Sequence, residues 1–386
     1  MESIKSFYNN LSDMSKTLIK MLFGIACALL ALFILVLFIR LIRGSRQSYT
    51  TFETTVQRAA TKYYKKNSGQ LPSSGSEAQV SIDTLVSDGY LKEVTKYLGK
   101  DTTCSGEVYV INNSGKYAYI PNLDCGEKYK SKVLVDAIIE NNNLVEEGAG
   151  LYLEDDMSYV FRGEYVNNYM TFANLDWRII KINEDGSIRA LLASNIKKYR
   201  RSRWDNRYNV DKKSNVGIND YEVSRIRETL DKIYADESVF NDNQKALIVP
   251  QNLCVGSRAK DSNDFSGTEE CAMTVDDQYL GLLQVNEFLY PSIDENCNST
   301  LSQSCLNYNY LTSIKEQYWT LTPYDGDTYQ VYRVSTGLHL SKASGSANVL
   351  FTIHLSDKTQ IKEGTGTSTD PFKVNDYSVA SDDTEK

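Results

Sequence analysis

The chain has 386 residues and a mass of 43.6 kDa, which leaves room for two ordinary domains and an anchor. Apolar residues make up 41% and charged residues 24%, so the chain can bury a core. The net charge of −8 and the pI of about 5.1 argue against a nucleic-acid-binding protein. The only two histidines, His339 and His354, exclude most histidine-based metal sites and leave few candidates for a catalytic triad.

An uncharged stretch of nineteen residues occupies positions 21–39. A helix of this length matches the hydrocarbon core of a bilayer, and the flanking Lys20 and Arg40 are placed to reach its two interfaces. We therefore expect an uncleaved transmembrane helix over residues 17–43, in contact with the lipid bilayer, after a cytoplasmic tail of residues 1–16. A cleaved signal peptide is the weaker interpretation, because no small-x-small cleavage site follows the stretch.

The cysteines predict on which side of the membrane the body lies. Basic residues do not decide the orientation, since three precede the apolar stretch and three follow it closely. Six of the seven cysteines lie beyond the stretch as three pairs of near neighbours, which is typical of an oxidising compartment, and their spacings fit no zinc motif. We expect a single-pass protein of the cell membrane with a cytoplasmic N-terminus, an extracellular body and the disulfides Cys104–Cys125, Cys254–Cys271 and Cys297–Cys305.

Residues 44–128 predict a small helix-plus-hairpin module. Its first part repeats apolar side chains every three or four positions and ends in two lysines, which predicts a helix through Phe52, Val56, Ala59, Ala60 and Tyr63. A short helix is expected over 82–88. Alternation around an Asn-Ser-Gly turn predicts a hairpin over 107–120, which Cys104 and Cys125 flank almost symmetrically.

This module resembles the layout of type IV pilins and pseudopilins over residues 15–128. The resemblance is carried by the apolar N-terminal helix, the stripe AATKYY at 59–64, a Leu-Pro loop and LVSDGYLKEV at 85–94. It implies a structural subunit of an envelope machine. The Gly-Phe-Thr-Leu-Ile-Glu processing signal of that family is absent, so cleavage and the glutamate contact between subunits are not carried over. A generic stalk helix with a disulfide-closed module is the alternative interpretation.

A linker is expected over 129–150, a head domain over 151–375 and a disordered acidic tail over 376–386. Alternating and apolar runs predict head strands near residues 177–182, 187–193, 318–323, 329–334 and 350–355. A helix capped by Asn219 or Asp220 and a short strand over 246–249 are also expected, whereas 280–290 fits either a helix or a strand. Strands outnumber helices and are joined by loops, which predicts an α+β fold with a mainly antiparallel sheet.

Three stretches of the head resemble a DUF6273-like domain of surface-anchored proteins of Gram-positive bacteria. They are FRGEYVNNYMTFANLDWRIIKINEDGSIRALL at 161–192, YWTLTPYDGDTYQVYRVSTG at 318–337 and GTGTSTDPFKV at 364–374. The domain is also distantly similar to C-type-lectin-like folds. The resemblance implies the fold of the head and assigns no activity to any residue.

Catalytic and metal-binding motifs are absent from the sequence, which contains no phosphate-binding loop, dinucleotide fingerprint, zinc-protease motif or nucleophile elbow. Adjacent acidic pairs such as Asp155-Asp156 are interpreted as solvated turns, since a glycosidase needs two carboxylates that face each other across a sugar. Trp204-Asp205-Asn206 has the last two residues of a lectin calcium motif in reversed order and is interpreted as a surface loop around a packed tryptophan. We expect no catalytic residue, no metal and no cofactor.

Tyrosine is unusually frequent, with 27 tyrosines against 12 phenylalanines. Tyrosine combines an apolar ring with a polar tip, which suits sugar-binding and protein-binding surfaces. The expected binding face is the hairpin after the WTLTP strand, with Tyr318, Trp319, Tyr324, Asp325, Asp327 and Tyr329.

Three hypotheses for function follow. The first is an anchored surface protein, not an enzyme, whose head binds an extracellular glycan or protein and no nucleic acid. The second is a pseudopilin-like structural subunit of an envelope or secretion machine. The third is an enzyme that acts on cell-envelope glycans, which requires an acidic cleft that the sequence does not display.

Overall fold

The computed structural model describes residues 13–42 and 46–377, so most of the predicted cytoplasmic tail and acidic tail lies outside the described residues. The helices of the described part are α1 (Asp13–Ile42), α2 (Tyr49–Lys66), α3 (Ile82–Ser87), α4 (Val94–Leu98), α5 (Leu134–Glu140), α6 (Arg225–Ala235), α7 (Asp242–Leu247) and α8 (Val285–Leu289). The strands are β1 (Ser76–Ser81), β2 (Ser105–Asn113), β3 (Lys116–Asp124), β4 (Lys132–Val133), β5 (Gly150–Leu153), β6 (Tyr159–Arg162), β7 (Tyr169–Phe172), β8 (Leu175–Ile182), β9 (Ile188–Leu192), β10 (Arg201–Ser202), β11 (Gln251–Cys254), β12 (Thr274–Gln278), β13 (Gly281–Leu282), β14 (Tyr318–Pro323), β15 (Gln330–Val334), β16 (Leu338–Lys342), β17 (Ala347–Asn348), β18 (Phe351–Leu355), β19 (Gln360–Glu363) and β20 (Phe372–Val374).

Helix α1 contains the uncharged stretch of the sequence and exposes its apolar side chains, with Phe23 71% and Leu29 65% exposed. Over residues 13–42 and 46–377, however, none of the helices qualifies as a membrane span in length and apolar character together. The structure therefore gives no support to the single membrane span predicted for residues 17–43.

Helix α2 packs on the three-stranded antiparallel sheet β1-β2-β3, as the spacing of its apolar residues predicts. Its N-cap is Ser48, whose side chain accepts a hydrogen bond from the backbone N–H of Thr51, and its last turn carries Lys65 and Lys66. The predicted stripe from Phe52 to Tyr63 is buried. The disulfide Cys104–Cys125 joins the open ends of β2 and β3, so the predicted hairpin and its closure are both present.

The sheet of this module is buried on both faces. Val108 and Val110 of β2 lie in the core under α2, whereas Ile111 and Ile120 belong to the main core of the head. Because successive strand residues point to opposite faces, the hairpin β2-β3 contributes side chains to both cores. The module is thus joined to the head through a large apolar contact.

Polar contacts and a strand reinforce this connection. The side-chain amide of Gln360 donates to the Pro121 carbonyl at 2.9 Å, and Lys116 Nζ lies 2.7 Å from Asp242 Oδ1. The segment 129–150, predicted as a linker, contains β4 and α5, and β4 pairs with β19 of the main sheet. Leu134 and Ile138 of α5 are fully buried, so this segment contributes to the core.

The head is α+β with mainly antiparallel sheets, as the sequence predicts. Its long sheet has the order β13-β18-β9-β8-β7-β20-β19-β4, and the hairpin β5-β6 joins it through β8. A second sheet has the order β10-β17-β14-β15-β16. Within the described residues, only the pairs β7·β20 and β14·β17 are parallel.

Two local predictions for the head need correction, and one alternative that the sequence left open is decided. The helix begins at Arg225 with Ser224 as its N-cap, because the Asn219 side chain instead donates to the carbonyls of Tyr324, Asp327 and Gln330. Residues 246–249 were predicted as a strand, but the first two of them end helix α7, which a capping box at Asn241 starts. Residues 280–290 contain both a strand, β13, and a helix, α8.

Candidate functional site

The predicted binding face does not form as a unit. Tyr318 and Trp319 are fully buried in β14. The Trp319 indole N–H donates to the Ser202 carbonyl at 2.9 Å, which fixes the ring in the core. These two residues therefore hold the second sheet together and are not available to a ligand.

The other four residues of the predicted face lie in the turn between β14 and β15. Asp325 is exposed, while Tyr324, Asp327 and Tyr329 are half-buried. One carboxylate oxygen of Asp327 accepts the backbone N–H groups of Tyr329 and Gln330, at 3.0 and 2.7 Å. Its carboxylate thus closes the turn, and nothing in this geometry forms a concave site.

A cleft of about 570 Å³ lies elsewhere in the head and is referred to below as the cleft. Strands β6, β8, β9 and β18 form its floor, and the start of α8 and the disulfide loop 254–271 form one wall. The turn between β5 and β6 forms the opposite rim, where Glu154, Asp155 and Asp156 lie. Asp155 and Asp156, interpreted from sequence as a solvated turn, therefore border the cleft.

A buried cluster of charged and polar side chains lies in the floor. Arg189 of β9 and His354 of β18 are direct cross-strand partners, and Arg189 Nη1 lies 3.2 Å from His354 Nε2. Arg189 Nη2 donates to Glu287 Oε2 at 2.8 Å, and the same oxygen accepts the backbone N–H of Gln284 at the start of α8. Glu287 is thus held by a guanidinium and a helix cap, which suits it to positioning and not to proton transfer.

Burial lowers the pKa of His354 well below 6.5, and the charges of Arg189 and Lys181 act in the same direction. The imidazole is therefore neutral at pH 7, and its Nε2 accepts the hydrogen bond from Arg189. The charges of Arg189 and Glu287 cancel and His354 is neutral, so these three groups give the floor no net charge.

The rim is ordered by a stack of Arg162 between two tyrosine rings. The Arg162 guanidinium carbon lies 5.0 Å from the ring centre of Tyr152 and 4.8 Å from that of Tyr290. The Tyr290 hydroxyl donates to the carboxylate of Glu154, whose oxygens lie 2.9 and 2.8 Å away. Burial, reinforced by Glu154, raises the pKa of Tyr290 to about 12, so the phenol keeps its proton.

Apart from Arg189 Nε, which lies 2.5 Å from Glu287 Oε1 in an ion pair, two polar atoms in the lining have no hydrogen-bond partner within the described residues. They are Asn286 Oδ1 and the hydroxyl of Tyr310, a residue whose side chain is fully buried. Buried polar groups are nearly always satisfied. Asn286 is half-buried, so its side-chain oxygen is the atom of the two that a small rearrangement can present to a ligand or to water. Lys181, on the floor, makes no ion pair or hydrogen bond within the same part of the chain.

The wall opposite the rim is rigid. The disulfide Cys254–Cys271 closes the loop, and Arg258 and Glu270 form an ion pair inside it from which solvent is excluded. The Glu270 carboxylate also accepts the backbone N–H of Asn286 at 3.2 Å. This contact sets the position of Asn286 in the cleft.

Sequence reasoning missed the cleft because its residues are spread over two hundred positions. One signal was present: Arg189 and His354 lie in the mainly apolar strands β9 and β18, all of whose residues are buried. A charged or polar residue in a buried strand requires a partner, which points to a polar cluster. Over the described ranges 13–42 and 46–377, no group of three or more acidic, histidine or cysteine side chains is arranged to hold a metal ion.

The comparisons of this chain with protein-family models, with curated proteins and with solved structures found no match.

Proposed function

We propose that this chain is a single-pass membrane protein whose extracellular head binds a saccharide in the cleft. The ligand class is inferred from the residues that line the cleft. It combines the rings of Tyr290 and Phe265 with polar side chains, among them Asn252, Ser266 and Asn286. Saccharides present apolar ring faces and several hydroxyl groups, so they match such a lining.

The charges of the cleft narrow the ligand class. Arg189 and Glu287 neutralise each other in the floor, whereas the rim carries three carboxylates and only Lys181 faces them from the floor as an unpaired cation. An acidic sugar would be repelled at the rim. We therefore expect a neutral or amino-bearing saccharide.

The anchor is supported by the nineteen uncharged residues at 21–39 and by the exposed apolar side chains of α1. The three disulfides support an oxidising compartment for the body. Peptide mapping of protein extracted from its native membrane, with and without reduction, tests this arrangement. Intact disulfides and an uncleaved N-terminus are expected, whereas free thiols throughout would place the body in the cytoplasm.

Ligand binding is tested with the full chain in neutral-lipid nanodiscs. The probes are a neutral, an N-acetylated and an acidic tetrasaccharide, measured by calorimetry. The variant Asn286→Ala removes a lining acceptor and is expected to weaken binding about three- to tenfold, the usual range for one hydrogen bond. Asp325→Asn in the exposed turn is the matched control and is expected to bind normally. Equal binding by both variants, or preference for the acidic sugar, would overturn the assignment.

A second candidate is the pseudopilin-like subunit. A specific observation favours it: the apolar helix α1 precedes a helix, α2, that packs on a disulfide-closed antiparallel sheet. Recovery of the protein in sheared surface filaments, or processing at the N-terminal edge of residues 21–39, would support this candidate against the first.

A further inference from the structure

One short segment concentrates the positive charge of an acidic protein. Residues 197–213, called the basic segment below, contain eight cations and two aspartates, which leave a net charge of +6 against −14 for all other residues. The cations are Lys197, Lys198, Arg200, Arg201, Arg203, Arg207, Lys212 and Lys213. The segment lies outside the lining of the cleft.

Most of these cations are exposed and have no acidic partner. All except Arg207, which is half-buried, are exposed. Lys198 pairs with Asp236 at 2.5 Å, and Arg207 pairs with Glu228 at 3.2 Å. Within the described part of the chain, the other six have no carboxylate within ion-pair distance. Unpaired surface cations keep their full attraction for a mobile anion.

The two aspartates of the segment are used by the fold. Asp205 is fully buried, and its carboxylate accepts backbone N–H groups of Arg207, Ile218 and Arg225. Asp211 accepts the hydroxyl of Thr328 at 2.7 Å. Neither carboxylate therefore shields the free cations by direct pairing.

The backbone of the basic segment is fixed before any ligand arrives. Arg201 lies in the edge strand β10, and its guanidinium donates to the backbone carbonyl and the hydroxyl of Ser346. The side-chain amide of Asn209 donates to the carbonyls of Gly217 and Thr328, which holds the second half of the segment. Binding thus requires ordering of side chains only, and the lower entropic cost favours it.

The basic segment contacts one turn of the second sheet. The N–H of Asp205 donates to the Ala343 carbonyl, and the N–H of Ser344 donates to the Val216 carbonyl just after the segment. The turn 343–346 between β16 and β17 therefore lies against the middle of the basic segment and against the residues that follow it. Residues 197–199 form a turn of 3-10 helix and Arg201–Ser202 form strand β10, so the first five cations are presented from, or directly beside, two short consecutive elements.

From this placement we propose that the basic segment binds a linear polymer through phosphate groups in its backbone. The six cations without a carboxylate partner are more than one phosphate ion can pair with, so they fit repeated charges, and the arginine guanidinium matches two oxygens of one phosphate. The interaction adds a second contact to the saccharide binding proposed above and does not depend on it. It would hold the head against a charged matrix while the cleft remains open.

The test uses the full chain in phosphatidylcholine nanodiscs and an inorganic polyphosphate of about 25 units as the probe. The variant Lys197→Gln/Arg200→Gln/Arg203→Gln removes three exposed, unpaired cations. We expect its affinity for polyphosphate to fall about tenfold or more. The magnitude of the slope of log affinity against log salt concentration should decrease by about 2, because fewer phosphate contacts form and fewer counterions are therefore released on binding. Its unfolding midpoint should be unchanged.

The matched control is Lys92→Gln/Lys96→Gln/Lys100→Gln, which removes the same charge from exposed positions near α4. Its polyphosphate affinity is expected to stay within about twofold of the parent, because only its long-range charge changes. An equal loss of polyphosphate affinity in both triple variants would show that only the net charge of the protein matters, and would overturn the proposal. Absence of measurable polyphosphate binding at low salt would also overturn it.

Two further binding measurements distinguish the polymer from other anionic partners. Tyr208 and Val210 are 55% and 77% exposed between the cations, which is also a feature of loops that contact lipid headgroups. Capture by phosphatidylglycerol vesicles without binding of polyphosphate would therefore reject the polymer in favour of a membrane surface. Tighter binding of inorganic monophosphate than of polyphosphate, per phosphate, would reject the requirement for a linear polymer.

Discussion

Arg258 and Glu270 form an ion pair in which neither side chain has any solvent exposure, with Arg258 Nη1 3.1 and 3.0 Å from the two carboxylate oxygens. The Arg258 guanidinium also donates to Thr300 and to the Asp264 carbonyl, so one buried charge organises the whole loop beside the cleft. The pair therefore links the stability of the head to the shape of its candidate site.

Removal of one partner of this pair should be costly. Glu270→Ala leaves a buried guanidinium without its counter-charge, and we expect a loss of about 3–5 kcal/mol in the free energy of unfolding. The double variant Arg258→Met/Glu270→Leu should recover most of this loss, because the charge is removed as well. Denaturant unfolding of the full chain provides the measurement. Glu237→Ala at an exposed site is the control, and a loss of similar size there would contradict the explanation.

The buried His354 should make the protein sensitive to mild acid. Its pKa in the folded protein is well below 6.5, so below pH 6.5 the unfolded chain takes up a proton that the folded protein does not. The free energy of unfolding should thus fall by up to about 1.4 kcal/mol per pH unit below pH 6.5 from this group. Unfolding curves at pH 7.5 and 5.5 measure the effect.

The variants His354→Gln and His339→Gln separate this contribution from that of other groups. His354→Gln should lose stability less steeply between pH 7.5 and 5.5 than the parent, whereas His339→Gln should behave like the parent. An unchanged pH dependence in His354→Gln would show that the imidazole is not the sensitive group.

The disulfides should differ in their contribution to stability according to the loops they close. Cys104–Cys125 spans 21 residues and Cys297–Cys305 spans 8. Chain entropy predicts losses of about 3.3 and about 2.5 kcal/mol when each pair is replaced by serine. Non-reducing denaturant unfolding ranks the two variants, with Cys27→Ser as the control, since Cys27 is a free thiol. The reverse order would mean that native packing, and not loop closure, dominates.

The helix-plus-hairpin module and the head should unfold together. All three tryptophans of the chain, Trp177, Trp204 and Trp319, lie in the head, whereas Ile82 is buried in the core under α2. Ile82→Ala should nevertheless lower the midpoint of the tryptophan fluorescence transition, with a loss of about 2–4 kcal/mol, because the hairpin β2-β3 belongs to both cores.

Val223→Ala, at a side chain that is 46% exposed, is the control and should change the midpoint little. A tryptophan transition that does not respond to Ile82→Ala would show that the two parts unfold independently.

Local patterns were sufficient for much of the fold. The apolar stripe of α2, the hairpin β2-β3 and the three disulfides were predictable because each depends on contacts between close neighbours in the sequence. The start of α6 was not, since Asn219 forms hydrogen bonds with residues about a hundred positions away in place of a helix cap.

The candidate site was hidden for a similar reason. The aromatic run Tyr318-Trp319 indicated a surface, but strand alternation cannot distinguish a sheet with one solvent face from one buried on both. The cleft brings together Glu154, Arg189, Glu287 and His354 from separate elements. Arg189 and His354 are neighbours because β9 pairs with β18, which no local pattern predicts.

Strand β20 lies inside the long sheet, between β7 and β19, although it is the last strand of the described chain. During synthesis the ribosome must therefore release the chain through Val374 before β20 can join the strands on either side of it. A protein stopped short of Phe372 would keep two unpaired strand edges, which are recognised templates for aggregation. Chains that lack β20 thus differ from chains that contain it in the edges they expose, on β7 and on β19.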